Sequence, residues 1–323
     1  MILSKAFVYN IINFNSLPNY NTQSKISFAV MKQFFFLSLF CALFFSCEKN
    51  IDFKLNAVPP VLVIDAQIEN GTAPTVALSS SLDFFSEISP QLLSNSFVHN
   101  AEVTMSNGTL THKFKEYAVP LGNGYSIYYY GIDSSNLATA FVGQFDKQYS
   151  LTIKVDGKTY TAITTIPPLT KVFDSLWTVL PPPGVDTSKR LLMARAIDPP
   201  GLGNYVRYFT KRNSGPFLPG FNSVFNDEVV DGTTYQGIVE PGVDRNSSLP
   251  NGDDRLFARG DTISFKLSNI DKATFTFWNT WEFNQQSIGN PFSQPGKVIG
   301  NISNGALGAF CGYASMVGTV IAR

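Results

Sequence analysis

The sequence predicts a mainly β protein, in which a β-sandwich is followed by a second β-rich domain with one substantial helix. Three observations lead to this fold class. Apolar and polar residues alternate with a period of two over many short segments. Turns containing Gly, Asn or Asp separate these segments at short intervals. Aromatic residues make up 14% of the chain and charged residues only 15%, which is typical of β-rich proteins rather than coiled-coil or disordered ones.

Residues 59–168 contain the short, regularly spaced strands expected of a sandwich. The strongest hairpin signal is Asp156-Gly157, which lies between two alternating segments. We place the end of this region at Pro167-Pro168, because proline cannot donate to a sheet ladder. The predicted strands are 61–68, 75–79, 101–105, 109–114, 125–130, 149–155 and 158–164.

Residues 169–323 form the second predicted domain. Residues 211–259 are rich in Gly, Pro, Asn and Asp, so we expect long loops there with one or two short strands, and loops of that length are usually functional or mobile. The predicted strands are 172–180, 191–197, 204–210 and 261–267.

One helix is predicted near 270–287. Ser268-Asn-Ile-Asp271 offers a capping-box start, and Phe277, Trp278 and Trp281 fall on one helical face. The alternative is a strand, because Thr274–Phe277 also alternates.

An apolar segment begins near Met31 and ends at a cysteine. Phe34–Phe45 has twelve residues, of which only Ser38 is polar, whereas a bilayer core needs about 20 residues of helix. This length fits the apolar core of a secretory signal, and Lys32 supplies the preceding positive charge. We therefore predict a signal peptide over residues 31–46. Residues 1–30 are expected to be an over-long gene start upstream of Met31, and the alternative is a real, unusually long leader.

Leu43-Phe44-Phe45-Ser46-Cys47 resembles a bacterial lipobox, whose cysteine becomes the lipid-bearing first residue after cleavage. Cys47 is thus the predicted lipid attachment site, and residues 47–58 are the predicted tether. Two or three acyl chains would hold the protein on a membrane, since one chain binds only marginally. The alternatives are an ordinary secretory signal or a short buried helix with a chance cysteine. Glu48, Lys49 and Asp52 resemble the charged export signals that send Bacteroidetes lipoproteins to the outer face of the outer membrane, or they form a solvated tether.

The charge of the mature chain excludes a basic footprint for nucleic acid. Residues 1–46 carry three lysines and no acid, so the 277 residues that follow have 21 basic and 24 acidic side chains. Cys41 leaves with the signal and Cys47 is lipidated. Cys311 then remains alone, so no intrachain disulfide can form.

The sequence predicts no catalytic residue, no metal ligand set and no cofactor. His99 and His112 with Glu102 match no familiar ligand spacing. Asp253-Asp254 lack the repeated oxygen ligands of an EF-hand loop. Cys311 lies in an apolar Gly-rich run and is predicted to be buried and inert.

Two groups of aromatic residues are candidate anchors for partners or flat ligands. Tyr128, Tyr129 and Tyr130 are consecutive, so at least one should be exposed on a strand. Trp278 and Trp281 lie one helical turn apart. Core packing is the alternative for both groups.

The chain resembles the DUF4249 family of Bacteroidetes lipoproteins of unknown function over nearly all of its mature length. The segments that carry the resemblance, in order, are "CEKNID", "VLVIDAQIENG", "HNAEVTMSNG", "YSLTIKVDGKTYTAITTIP", "NYVRYF", "FTFWNTWEFNQQS" and "NPFSQPGKVIGNISNGALGAFCGYAS". The resemblance implies an immunoglobulin-like N-terminal sandwich and a genetic association with TonB-dependent outer-membrane receptors. It supplies no catalytic residue.

The sequence therefore favours a non-enzymatic outer-membrane lipoprotein that faces the cell exterior and serves as a binding accessory of TonB-dependent nutrient uptake. Its expected partners are the membrane, through the lipid, and a TonB-dependent receptor, with no nucleic acid. The ligand-binding residues stay unassigned, although the 211–260 loops are the expected place for them. The alternatives are a structural or adhesive envelope protein without a small ligand and, less favoured, a surface hydrolase.

Overall fold

The computed structural model describes residues 59–83, 86–122, 124–245, 255–287 and 296–323. These residues confirm the mainly β fold class. The N-terminal region, up to residue 168, contributes seven strands and a short helix, α1 (Pro90–Ser96). The strands are β1 (Leu62–Glu69), β2 (Thr75–Ser80), β3 (Glu102–Ser106), β4 (Thr111–Gly122), β5 (Tyr125–Ile132), β6 (Lys147–Val155) and β7 (Lys158–Ile166).

The C-terminal region, from residue 169 onward, contributes eight further strands and helix α2 (Lys272–Ser287). The strands are β8 (Val172–Val179), β9 (Lys189–Ile197), β10 (Tyr205–Arg212), β11 (Leu218–Phe225), β12 (Thr234–Val239), β13 (Phe257–Ala258), β14 (Thr262–Ile270) and β15 (Leu307–Ile321). The described residues of the 211–259 segment thus hold three strands rather than the one or two expected. The 15-residue strand β15 is missing from the predicted strands, although it contains the apolar Gly-rich run around Cys311.

Eleven strands form one continuous hydrogen-bonded sheet in the order β11-β10-β14-β15-β1-β2-β5-β4-β3-β6-β7. Alternate side chains of β1, β2 and β15 meet those of β3, β6 and β7 in a first core, so the N-terminal region consists of a pair of packed layers. Ile64, Val103, Met105 and Phe310 are fully buried there. The predicted hairpin at Asp156-Gly157 joins β6 to β7, with Asp156 at a φ of 49° and Gly157 at 72°.

A smaller sheet covers one face of the C-terminal region. Strands β12, β8 and β13 all pair with β9, and this sheet packs on β10 and β14 through a second core that includes Leu192, Val206 and Phe265. Helix α2 covers the other face of β14, β15 and β11 through a third core that includes Phe277 and Tyr313. The C-terminal region therefore has three layers, with the large sheet in the middle.

Helix α2 confirms the helix prediction over the strand alternative, but its start differs from the predicted capping box. Ser268 still belongs to β14, and Asp271 is the residue that caps the helix by accepting the N–H of Thr274 at 2.7 Å. Phe277 is buried, and Trp278 and Trp281 are half-buried against the third core, so the aromatic face packs inward.

The division at residue 168 falls between β7 and β8 and stays a prediction. The sheet continues across it, because β15 pairs in parallel with β1 from Val63 opposite Leu307 to Glu69 opposite Tyr313. The described residues, from Pro59 onward, belong to a single compact unit.

Candidate functional site

A cavity of about 450 Å³ lies between the small sheet and the large sheet of the C-terminal region. Strands β9 and β12 form one wall, and β10, β11 and β14 form the other. The cavity exists because three positions on the first wall carry little or no side chain, namely Ala194, Ala196 and Gly237. Its volume lies within the range of about 300–1,000 Å³ that is usual for small-molecule sites.

Four aromatic side chains line the cavity. Tyr208 and Phe265 are buried, Tyr235 is half-buried, and Phe225 is 48% exposed at the mouth. The ring centroid of Tyr208 lies 6.1 Å from those of both Phe225 and Phe265. Apolar walls of this kind favour a ligand with an apolar or planar body.

The polar groups of the cavity are few. Glu240, which follows β12, is the one charged residue among the described residues that line the cavity. Asn222 lies on β11 in the opposite wall. The Asn222 side-chain oxygen accepts a hydrogen bond of 2.5 Å from Gln286 of α2. Within the described ranges, neither the Tyr208 hydroxyl nor the Glu240 carboxylate has a hydrogen-bond partner in the protein. Both groups are therefore available to a ligand.

The electrostatic surroundings of Tyr208 are negative. Burial raises the pKa of its hydroxyl well above the usual value, and the carboxylates of Glu240 and Glu282 raise it further, while Arg245 lowers it. Tyr208 is therefore a neutral hydroxyl at physiological pH. The close approach of Gly220 fixes its position, since a side chain there would begin 1.9 Å from the hydroxyl oxygen.

A buried polar network holds β11 against α2 next to this cavity. Glu282 accepts hydrogen bonds from the Ser223 amide at 2.9 Å, the Ser223 hydroxyl at 2.5 Å and Arg245 at 3.0 Å. The Arg207 guanidinium donates to Ser223 Oγ at 3.0 Å and lies 3.4 Å from the Trp278 ring centroid. Every charge in this network is hydrogen-bonded, so we interpret the network as structural: it holds α2 against the large sheet behind the cavity.

Cys311 lies on β15, and its burial confirms the prediction of a buried cysteine. It is 3% exposed, and burial raises the pKa of its thiol to about 12. A thiol with that pKa carries almost no thiolate at neutral pH, so it is a poor nucleophile.

The structure does not bring His99, His112 and Glu102 together. His99 pairs with Glu116, and Glu102 forms an exposed ion pair with Lys154 at 2.9 Å. His112 is fully buried, and its two ring nitrogens are engaged by Thr139 and the Asp133 amide. These three residues therefore serve separate local contacts.

The consecutive tyrosines also have separate roles. Tyr130 is buried in the first core, Tyr128 packs edge-on against Phe97, and Tyr129 stacks on Tyr117 at 5.6 Å. Since Tyr128 and Tyr129 are half-buried, the expectation of an exposed tyrosine was wrong. Cys47, Asp253 and Asp254 lie outside the described residues.

Three carboxylates that the sequence did not single out lie together at the loops before β10 and after β11. The ligand atoms of Asp198, Asp227 and Asp231 fall within 4.8 Å of one another. Asp198 Oδ1 is 2.8 Å from Nζ of Lys171, and both side chains are buried. Although the geometry of this contact is not that of a hydrogen bond, the short distance makes it an ion pair, so Asp198 already has a cation.

Asp227 is engaged as well. Burial by itself would raise the pKa of its carboxyl, but hydrogen bonds from the amides of Asn204 and Gly203 outweigh burial and lower it. Asp198 and Asp227 therefore already have partners in the protein, and their contacts hold the two loops together.

Helices α1 and α2, the α-helices of the described residues, have 7 and 16 residues, and neither combines the length and hydropathy needed to cross a bilayer.

The comparisons with known proteins identify the family. Residues 48–318 match DUF4249, a domain of unknown function, and the chain therefore belongs to this family. The match spans the first predicted domain and all but the last five residues of the second, and it confirms the resemblance seen in the sequence. Comparison with curated proteins yields no matching relative.

The individual residues of the cavity were not predicted from the sequence, although the predicted 211–260 loops contain many of them. Seven of the thirteen lining residues come from β11, β12 and Glu240. The alternation in Thr234-Tyr-Gln-Gly-Ile-Val239 was the signal that would have revealed β12. No pattern in the sequence places Ala194 and Ala196 opposite Phe265.

Proposed function

We propose that this protein is a ligand-binding lipoprotein of the bacterial outer membrane, which holds a small molecule in the aromatic cavity as an accessory of TonB-dependent nutrient uptake. The cavity is the observation that carries this proposal. It combines a suitable volume, four aromatic rings and two polar groups that lack partners among the described residues. The lipobox-like sequence at Cys47 supports a membrane anchor.

The geometry favours binding over catalysis. Glu240 is the one titratable acid in the described lining, and the neutral hydroxyl of Tyr208 is a poor general base. Acid–base chemistry usually needs two groups with complementary protonation states within reach of one another. We therefore propose a non-enzymatic role and rank a hydrolase below it.

The test is native purification of the protein from its own membranes, followed by mass spectrometry of bound proteins and small molecules. We expect a TonB-dependent receptor and a small molecule with the wild-type protein. Ala196→Phe places a ring in the cavity and should remove the small molecule. Ala273→Phe, at an exposed position of α2 outside the cavity, is the matched control and should retain it. Equal small-molecule content in the two variants would contradict a ligand in this cavity.

A second candidate function, adhesion within the envelope, is favoured by the β4–β5 hairpin. Beyond Phe114 and Ile132 these strands pair mainly with each other, so the ribbon extends from the sheet. Val119, Leu121 and Ile127 near its tip are exposed by 39%, 65% and 41%. If alanine replacements at these three positions removed receptor co-purification without changing the bound small molecule, the ribbon would be the protein-contacting surface.

A further inference from the structure

The charge balance of the cavity points to the class of ligand, an inference that rests on the proposed binding function. Glu240 contributes a carboxylate to the lining, and no described basic residue lines the cavity. The nearby cations already have partners. Arg245 pairs with Glu282 at 3.0 Å, and Lys171 pairs with Asp198 at 2.8 Å. The described lining thus keeps one uncompensated negative charge.

The charges that act on the Tyr208 hydroxyl also show an excess of negative charge at the cavity. The carboxylates of Glu240 and Glu282 both act on it more strongly than the guanidinium of Arg245 does. A neutral ligand would leave the Glu240 carboxylate partly desolvated without a partner, which is costly. An anionic ligand would add repulsion to that cost.

The aromatic walls favour the same class of ligand. The faces of tyrosine and phenylalanine rings carry negative electrostatic potential, and rings grouped around a carboxylate form a site for ammonium groups. Tyr208, Phe225, Tyr235 and Phe265 supply such rings. Tyr235 already lies near a protein cation, because Lys171 Nζ is 5.6 Å from its ring centroid.

We propose that the cavity binds an organic cation, a molecule with an ammonium group on an apolar or aromatic body. The ammonium group pairs with Glu240 and donates to the Tyr208 hydroxyl. The apolar body lies between the two sheets, against Phe265 and the small residues Ala194 and Gly237.

The test compares three probes of nearly equal shape by titration calorimetry with the full mature chain. They are 2-phenylethylamine, which is cationic at pH 7, its neutral analogue 2-phenylethanol, and the anion 3-phenylpropanoate. We expect the amine to bind at least about tenfold more tightly than the alcohol, and the anion to bind most weakly. Glu240→Gln should abolish the preference for the amine, whereas Glu228→Gln, at an exposed position outside the cavity, should retain it.

A second variant guards against a folding defect in Glu240→Gln. Phe225→Leu removes one ring at the exposed mouth, and we expect it to weaken the amine more than the alcohol. Equal affinity of the wild-type protein for amine and alcohol would overturn the cation inference and leave ligand binding in place. Absence of binding by all three probes would overturn the inference and also remove the cavity as support for the proposed function.

Discussion

Asp271 connects helix α2 to the sandwich through a single carboxylate. Its Oδ1 accepts the N–H of Thr274 in the first turn of the helix, and its Oδ2 accepts the amide of Thr165 in β7 at 2.9 Å. The Thr164 hydroxyl donates to the same Oδ2 at 3.2 Å. This residue therefore fixes both the start of the helix and its position on the sheet.

Asp271→Ala should destabilise the protein by about 2–4 kcal/mol, because it removes a helix cap and leaves the Thr165 amide without its acceptor. Chemical denaturation of residues 47–323 measures this loss. Ser89→Ala is the matched control, since Ser89 caps the exposed helix α1 through the Leu92 amide. We expect the control to lose at most about 1 kcal/mol of folding stability. Similar losses for the two variants would show that Asp271 acts as a local cap only.

His112 should make stability depend on pH. Its Nε2 accepts the Asp133 amide at 2.9 Å and so carries no proton, and burial lowers its pKa, which the Asp133 carboxylate only partly offsets. The unfolded chain has a histidine pKa of about 6.5 and binds more protons than the native state near and below that value. The stabilisation of the fold by neutral His112 is therefore fully present above about pH 6.5. It is lost as the pH falls from the histidine pKa of the unfolded chain to the lower pKa of His112 in the folded protein.

Denaturation midpoints of wild type and His112→Gln between pH 8 and pH 5 measure this effect. The wild-type midpoint should fall more steeply than that of the variant as the pH decreases. Parallel curves would assign the acid sensitivity to other groups.

Among the elements, β15 has the widest structural role, because its side chains enter all three cores. Phe310 and Ala314 face the first core, Met316 and Val320 contact the second, and Tyr313 lies in the third.

The same strand passes very close to β7 at Gly312. A β-carbon at that position would lie 2.6 Å from the carbonyl oxygen of Thr165, which is backbone and cannot rotate away. Gly312→Ala should therefore cost about 1–3 kcal/mol of folding free energy, since the two layers must separate to admit the methyl group.

Gly237→Ala is the control within a strand, because a β-carbon there meets no atom within 4 Å. We expect that variant to be neutral or slightly stabilising. Thermal denaturation of both variants tests the difference, and equal midpoints would mean that the contact at Gly312 relaxes without loss.

For the molecule as a whole, the parallel pairing of β1 with β15 joins the two ends of the described chain. A fragment of residues 59–168 would lack β15 and with it Phe310 and Ala314 of the first core. It would also expose β1 as an unpaired edge, which favours aggregation. We expect this fragment to show no cooperative thermal transition, whereas residues 47–323 unfold in one. A sharp transition of the fragment would establish an independent domain ending at residue 168.

The predicted lipid anchor also concerns the whole protein. Cys47→Ala should abolish lipidation and move the protein to a soluble or uncleaved pool, because two or three acyl chains are the expected membrane attachment. Intact-mass analysis detects the acyl chains directly, and an unacylated N-terminus in the wild-type protein would contradict the predicted lipidation. Deletion of residues 2–30 should leave processing unchanged if translation starts at Met31.

The local elements of this protein could be predicted from short stretches of its sequence. Period-two alternation located most strands, Asp156-Gly157 located a hairpin, and the aromatic spacing of Phe277, Trp278 and Trp281 located the helix. These signals are sufficient because each depends on residues within a few positions of one another, whose backbone preferences and burial pattern are read from the same short segment. The order of soft motifs was likewise enough to indicate the family.

Which elements are neighbours, and so where a site can form, depends on the folded chain. The cavity requires Ala194 and Gly237 on the small sheet to face Tyr208 and Phe265 on the large one, and no local pattern encodes that pairing. The same holds for β15, whose pairing with β1 joins Val63 to Leu307 across most of the chain. Contacts between distant segments are selected by the packing of complete layers, because a side chain gains its burial from whatever surface the whole chain brings to it.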